Sequence, residues 1–134
     1  MIEVLFIQIP AGANRDKMFV GLRSVVSKEC CAEVLGYGNK EVALRRLLGE
    51  ALVRFALKKY WNLTSEDYRI DRGEKGKPFI VGVENVFFNI SHSVCDCSLP
   101  FSLQIHQAVL YIYHTLSHQS KTHYDTVQLA LMSL

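Results

Sequence analysis

An α+β fold is what this 134-residue chain predicts. Three observations predict it. Ile2–Ile9 is an almost unbroken apolar run closed by Pro10, the signature of a buried strand. Lys40–Trp61 carries apolar residues at helical spacing. From Tyr68 onward, short apolar runs alternate with turns rich in glycine and charge.

Taken in order, Ala11–Lys17 is loop-like and Met18–Glu33 reads as helix. Tyr37-Gly38-Asn39 is a break, with Asn39 placed to cap the long helix that begins at Lys40. In that helix, Leu44, Leu47, Leu48, Ala51, Leu52 and Phe55 form one stripe. Glu50 and Arg54 are spaced to pair on another face. Gly49 within the helix costs about 1 kcal/mol relative to alanine. It marks either a close backbone approach or a merely tolerated glycine. Asn62–Asp67 is polar and starts a short helical turn near Thr64 or Ser65. Tyr68–Asp71 reads as a short strand and Arg72–Pro78 as a charged turn. Pro78 biases Lys77 toward extended backbone. Phe79–Val81 and Val86–Ile90 then read as a hairpin-like pair.

Composition excludes several function classes. The net charge is only +2, which argues against a general nucleic-acid binder. The longest apolar run of the C-terminal part, Ala108–Tyr113, is far too short to cross a bilayer. The first residues lack the basic region of a signal peptide, so a soluble cytoplasmic protein is expected, with no membrane partner. Cys30, Cys31, Cys95 and Cys97 are then expected to be free thiols.

The chemistry concentrates in Lys75–Ser93. A Gly-Lys-Pro turn leads into an apolar strand ending on Ser91-His92-Ser93. Such a strand end supplies an imidazole, hydroxyls and a nearby ammonium, all suited to an anionic ligand. Past Ser93 the character of the chain changes. Residues 1–93 hold 14 of the 15 Lys and Arg, 11 of the 13 Asp and Glu, and all 8 glycines. Residues 94–134 hold Lys121, Asp96 and Asp125 as their only such charges, with four of the five histidines. Natural globular sequence averages about 25% charged residues. The chain thus divides into two segments: 1–93, and an atypical tail at 94–134, expected to be poorly ordered or loosely helical.

Two blocks in the first segment carry a resemblance. Ala43-Leu44-Arg45-Arg46-Leu47-Leu48-Gly49-Glu50-Ala51-Leu52-Val53-Arg54 is similar to the Arg-x-Leu-x-Gly-x-x-Leu-Leu-Arg helix of Sfp-type 4′-phosphopantetheinyl transferases. Gly76-Lys77-Pro78, followed by Phe88-Asn89-Ile90-Ser91-His92-Ser93, resembles a second block of that family. The resemblance covers about two-thirds of the chain and implies the N-terminal half of a pseudo-symmetric, two-lobed fold. It also implies an enzyme that moves phosphopantetheine from coenzyme A to a serine of an apo acyl or peptidyl carrier protein, with magnesium on the pyrophosphate. Lipid, polyketide or nonribosomal peptide synthesis would be served. By the same resemblance Arg45 contacts the coenzyme, with Arg46 beside it. Lys77 and Pro78 lie near the nucleotide end, and Ser91 and His92 contact phosphate.

The chain departs from that family at two places. Lys28-Glu29-Cys30-Cys31-Ala32-Glu33 stands where a basic cluster is common. Neither Gly-Ile-Asp-x-Glu nor a Trp/Phe-x-x-Lys-Glu segment comes after Ser93. The magnesium ligands and the catalytic glutamate of the family are therefore expected to be absent, leaving no catalytic and no metal residue. The chain is expected to be truncated relative to the family and inactive alone, at most a coenzyme A-binding remnant. Losing a second lobe would uncover an apolar face and favour self-association.

A change of reading frame near Ser93 would explain the tail. Val94-Cys95-Asp96-Cys97 must be encoded GTN-TGY-GAY-TGY. Read one base later, it yields an apolar β-strand of the kind the family carries there. If the tail is an evolved segment instead, Cys95, Cys97, His114 and His118 offer a zinc set and the chain is an interaction protein.

Overall fold

The computed structural model describes residues 2–9, 13–95, 105–114 and 122–126. It is a mixed α and β structure. Strand β1 (Ile2–Ile9) is followed by helices α1 (Ala13–Arg23), α2 (Lys28–Leu35) and α3 (Lys40–Trp61). Strands β2 (Arg69–Arg72), β3 (Pro78–Val81), β4 (Val86–Cys95), β5 (Ile105–His114) and β6 (Thr122–Thr126) come after them.

Four strands form the main sheet in the order β4-β5-β1-β6. β5 runs antiparallel to both of its neighbours, and β6 runs parallel to β1. Side chains alternate across a strand, so each strand sends every second residue to one face. Leu5, Ile7 and Ile9 of β1 face the helices. They join Ala108, Leu110 and Ile112 of β5 and Val86 and Phe88 of β4 in the core. Leu44, Leu47, Leu48 and Leu52 of α3 are almost wholly buried against them. Each such leucine contributes about 1.5–3 kcal/mol.

Local signals set the ends of α3. The Asn39 side chain accepts hydrogen bonds from the backbone N–H groups of Glu41 and Val42, as its place before the helix predicts. At the other end Asn62 takes a left-handed conformation, φ 53°. There its N–H donates to Lys58 O and that of Leu63 to Leu57 O, satisfying carbonyls the helix leaves open.

Three expectations need correction. The segment expected as one helix over Met18–Glu33 is two helices, with α1 beginning in the supposed loop. Ser27 separates them by accepting from Cys30 N and capping α2. Second, β3 pairs with β2, not with β4, in a separate two-stranded hairpin. β4 finds its partner in β5 over ten residue pairs, from Val86↔His114 to Cys95↔Ile105. Third, residues 105–114 and 122–126 are strands of the main sheet and not loosely helical. Ala108, Leu110 and Ile112 alternate with Val109, Tyr111 and Tyr113, a period of two that composition counts conceal.

The sheet face turned away from the helices is partly open. Phe87 and Tyr113 stack there with ring centroids 5.7 Å apart, and Ile2 and Tyr111 are also exposed. Among the described residues, no helix is long and apolar enough to cross a membrane.

Candidate anion-binding site

A cavity of about 300 Å³ opens where α3, the β2–β3 hairpin and β4 meet. Helix α3 supplies Arg45, Arg46 and Gly49, which fall on one side of the helix by their spacing. Strand β4 supplies Phe88, Ile90 and His92, every second residue of one face. The hairpin adds Arg72 and Pro78. Gly49 is a close approach: a Cβ there would lie 3.1 Å from Ile90 Cδ1. Alanine would press on the side chain that floors the cavity.

Arg45, Arg46, Pro78 and His92 thus come together on one cavity. Lys77 borders an adjoining groove that shares Pro78, Phe88 and Ile90 with the cavity. The turn that presents it is closed by hydrogen bonds from Gly73 N to Lys77 O and from Gly76 N to Gly73 O, both 2.9 Å. Gly76 adopts φ 76°, a conformation that suits glycine. Ser91 is exposed and lines none of these recesses. The pleat gives the reason: it is the neighbour of His92 in sequence and so lies on the opposite face of β4.

The cavity's cations are held by carboxylates. Arg45 Nε lies 3.7 Å from Glu41 Oε1, and Glu41 also pairs with Arg15. Arg46 sits between Glu33, at 3.4 Å, and Glu50, at 3.5 Å. Glu50 is 4% exposed and organises the corner. It accepts from Arg54 Nε at 3.0 Å and from the Ser27 N–H at 3.1 Å. Burial alone would raise its pKa. Hydrogen bonds from Cys30, Ser27 and Arg54 outweigh burial and hold the carboxyl below its ordinary range. Burial and the Glu50 contact push the Cys30 thiol up to about 12, so it is inert at neutral pH.

His92 stands at the rim. Partial withdrawal from water and the charge of Arg45 lower its pKa, against a smaller opposing effect of Glu41. In the ligand-free protein it is therefore neutral at pH 7. Sequence reasoning missed Arg72 and Tyr37 as cavity residues, Glu33 as the carboxylate that holds both, and Glu50 as a holder of Arg46. Nothing in the spacing of the first two signals a shared cavity. The Glu50–Arg54 pair was legible, but the burial of Glu50 beneath Ser27 depends on how α2 docks.

The zinc set falls mostly beyond the described residues. Cys97 and His118 lie outside them, and only the backbone of Cys95 is described. Among the described residues no three His, Cys, Asp or Glu side chains gather as a metal site.

No protein-family profile matches the chain, and no solved structure does. Curated proteins do. A stretch of 93 residues, 69% of the chain, is 41% identical to the 4′-phosphopantetheinyl transferase gsp of Aneurinibacillus migulanus and covers 38% of that protein. Over 89 residues, 66% of the chain, it is 33% identical to the 4′-phosphopantetheinyl transferase Sfp of Bacillus subtilis (strain 168), again covering 38% of the relative. The Bacillus subtilis 4′-phosphopantetheinyl transferase ffp is 42% identical over 72 residues, 54% of the chain and 32% of the relative. The matched stretches thus span about two-fifths or less of the relatives' own length. Over that stretch, which carries the long-helix motif and the Gly-Lys-Pro and Ser-His-Ser blocks, the chain is similar to these 4′-phosphopantetheinyl transferases.

Proposed function

We propose that the chain is the coenzyme-binding lobe of a 4′-phosphopantetheinyl transferase and binds coenzyme A through its phosphates. One observation carries this reading. Arg45, Arg46, Pro78 and His92 come from three elements distant in sequence yet line one cavity. Arginine and imidazole donors suit phosphate oxygens, and Lys77 borders the same rim. Ser91, on the other face of β4 and within the strand, is left out of this site.

Transfer of the phosphopantetheine arm to a carrier-protein serine belongs to the two-lobed enzyme. Residues 94–134 are proposed to be out of frame with that second lobe. The open sheet face bearing Phe87, Tyr111 and Tyr113 is proposed as the surface through which the chain self-associates. Magnesium does not fit the described residues around the cavity. Glu33, Glu41 and Glu50 around the cavity are each ion-paired with arginine, whereas magnesium asks for several hard oxygen ligands in octahedral array.

Isothermal titration with coenzyme A tests the reading. Arg45→Ala and His92→Ala are each expected to weaken binding about tenfold, as loss of a charge-assisted hydrogen bond does. Unchanged affinity in both variants would remove the site assignment. A radiolabelled-coenzyme transfer assay with apo acyl carrier protein and magnesium is expected to show no turnover. Robust turnover would overturn the reading of the chain as a binding lobe alone.

A further inference from the structure

Glu33 does not line the cavity, yet it holds two of the cations that do. Its Oε2 lies 3.4 Å from Arg46 Nη2, and its Oε1 lies 3.5 Å from Arg72 Nη1. Tyr37, four residues on, donates its hydroxyl to Oε1 at 2.5 Å. Arg46, Arg72 and Tyr37 are all cavity-wall residues. Two guanidinium groups and a phenol, from α3, β2 and the α2–α3 connection, therefore converge on one carboxylate. The same donor set suits a phosphate group, because guanidinium forks match its oxygens.

The parts differ in how firmly they are held. Arg46 keeps a second tie, to Glu50, so it stays in place if Glu33 leaves. Its Nε is buried and meets no acceptor within hydrogen-bond distance among the described residues. Arg72 and Glu33 are each more than a third exposed. Moving the Glu33 carboxylate into water costs little burial, whereas Glu50 is locked in place.

We infer that Arg46, Arg72 and Tyr37 form an anion subsite capped by Glu33, which an entering phosphate group displaces. The ligand named for it rests on the coenzyme reading above. Glu33 is then a resident competitor. Its negative charge weakens the binding of anions and leaves uncharged ligands alone.

Titration of the full chain with coenzyme A, inorganic pyrophosphate and uncharged adenosine tests this. Glu33→Gln keeps the shape and removes the charge. It is expected to tighten coenzyme A and pyrophosphate about tenfold and to leave adenosine unchanged. Adding Arg72→Ala to Glu33→Gln should cancel the gain. Glu33→Asp, which keeps the charge but shortens the reach, is expected to tighten both anions about threefold. It serves should Glu33→Gln lose the fold. Anion binding that is unchanged or weaker in these variants, while Arg45→Ala weakens coenzyme A in the parent chain, overturns the capped subsite and spares the coenzyme reading. A parallel gain for adenosine also overturns it, since general loosening of the cavity would act that way. Failure of the parent and every variant to bind coenzyme A overturns both.

Discussion

The two sides of this molecule are built from different materials. On one, α2, α3 and the β2–β3 hairpin meet through Glu33, Glu41, Glu50 and four arginines, and a cavity opens among them. On the other, β5 lies at the middle of the sheet and carries no Lys, Arg, Asp or Glu at all. The contrast separates two demands on a sequence. A strand needs a period-two apolar pattern and a partner edge. A site needs particular charged groups at particular places. β5 meets the first demand, and none of its described side chains lines the cavity.

The largest expected effect breaks the sheet side. Ending the chain after Cys95 removes the strand that joins β4 to β1. Loss of a cooperative thermal transition by far-UV circular dichroism is expected. A transition kept intact would show that the charged side folds without β5.

Next in size is the charged side's own anchor. Glu50→Ala leaves Arg46 and Arg54 facing an empty corner and is expected to destabilise by about 3–5 kcal/mol in urea unfolding. The pH dependence sharpens this. The folded pKa of Glu50, and that of Glu33, lies below the ordinary value of 4.5. Each therefore contributes stability that is present above pH 4.5 and is lost as pH falls through the depressed folded pKa. The thermal midpoint should fall on acidification below that point. Glu50→Gln should flatten the fall, and an unaltered slope would remove Glu50 as its source.

The smallest effect is a fraction of a proton. His92 is neutral in the free protein at pH 7, and a phosphate beside it favours the imidazolium. Coenzyme A binding at pH 7 should take up protons, seen as a dependence of titration heat on the ionisation enthalpy of the buffer. His92→Gln should abolish that uptake. Proton uptake persisting in the variant would point to another group.

Much of this was legible in the sequence where the signal is local. The Asn39 cap, the leucine stripe of α3 and the Glu50–Arg54 pair each need only neighbours within a turn or two. Arg45 and His92 could be named because motif blocks carried them. What escaped depends on distant pairing. β4 was matched to β3 because they are adjacent in the chain, whereas it pairs with β5, beyond the point where composition changes. Ser91 was grouped with His92 by sequence, but the pleat sends them to opposite faces. Arg72 and Tyr37 gave no signal, because their meeting at Glu33 depends on where the hairpin lands against α2.

The pairing of β1 with β5 has a consequence for how the chain reaches its fold. Ile2 must find Tyr113, and Ile9 must find His106, after about a hundred residues have been made. Contacts so far apart in sequence slow folding, because the loop must close before the pairing repays it. During synthesis β1 and α3 emerge long before the strand that completes their sheet. For that interval Leu5 and Ile7 have an open edge beside them, and the nascent chain is a natural client for a chaperone.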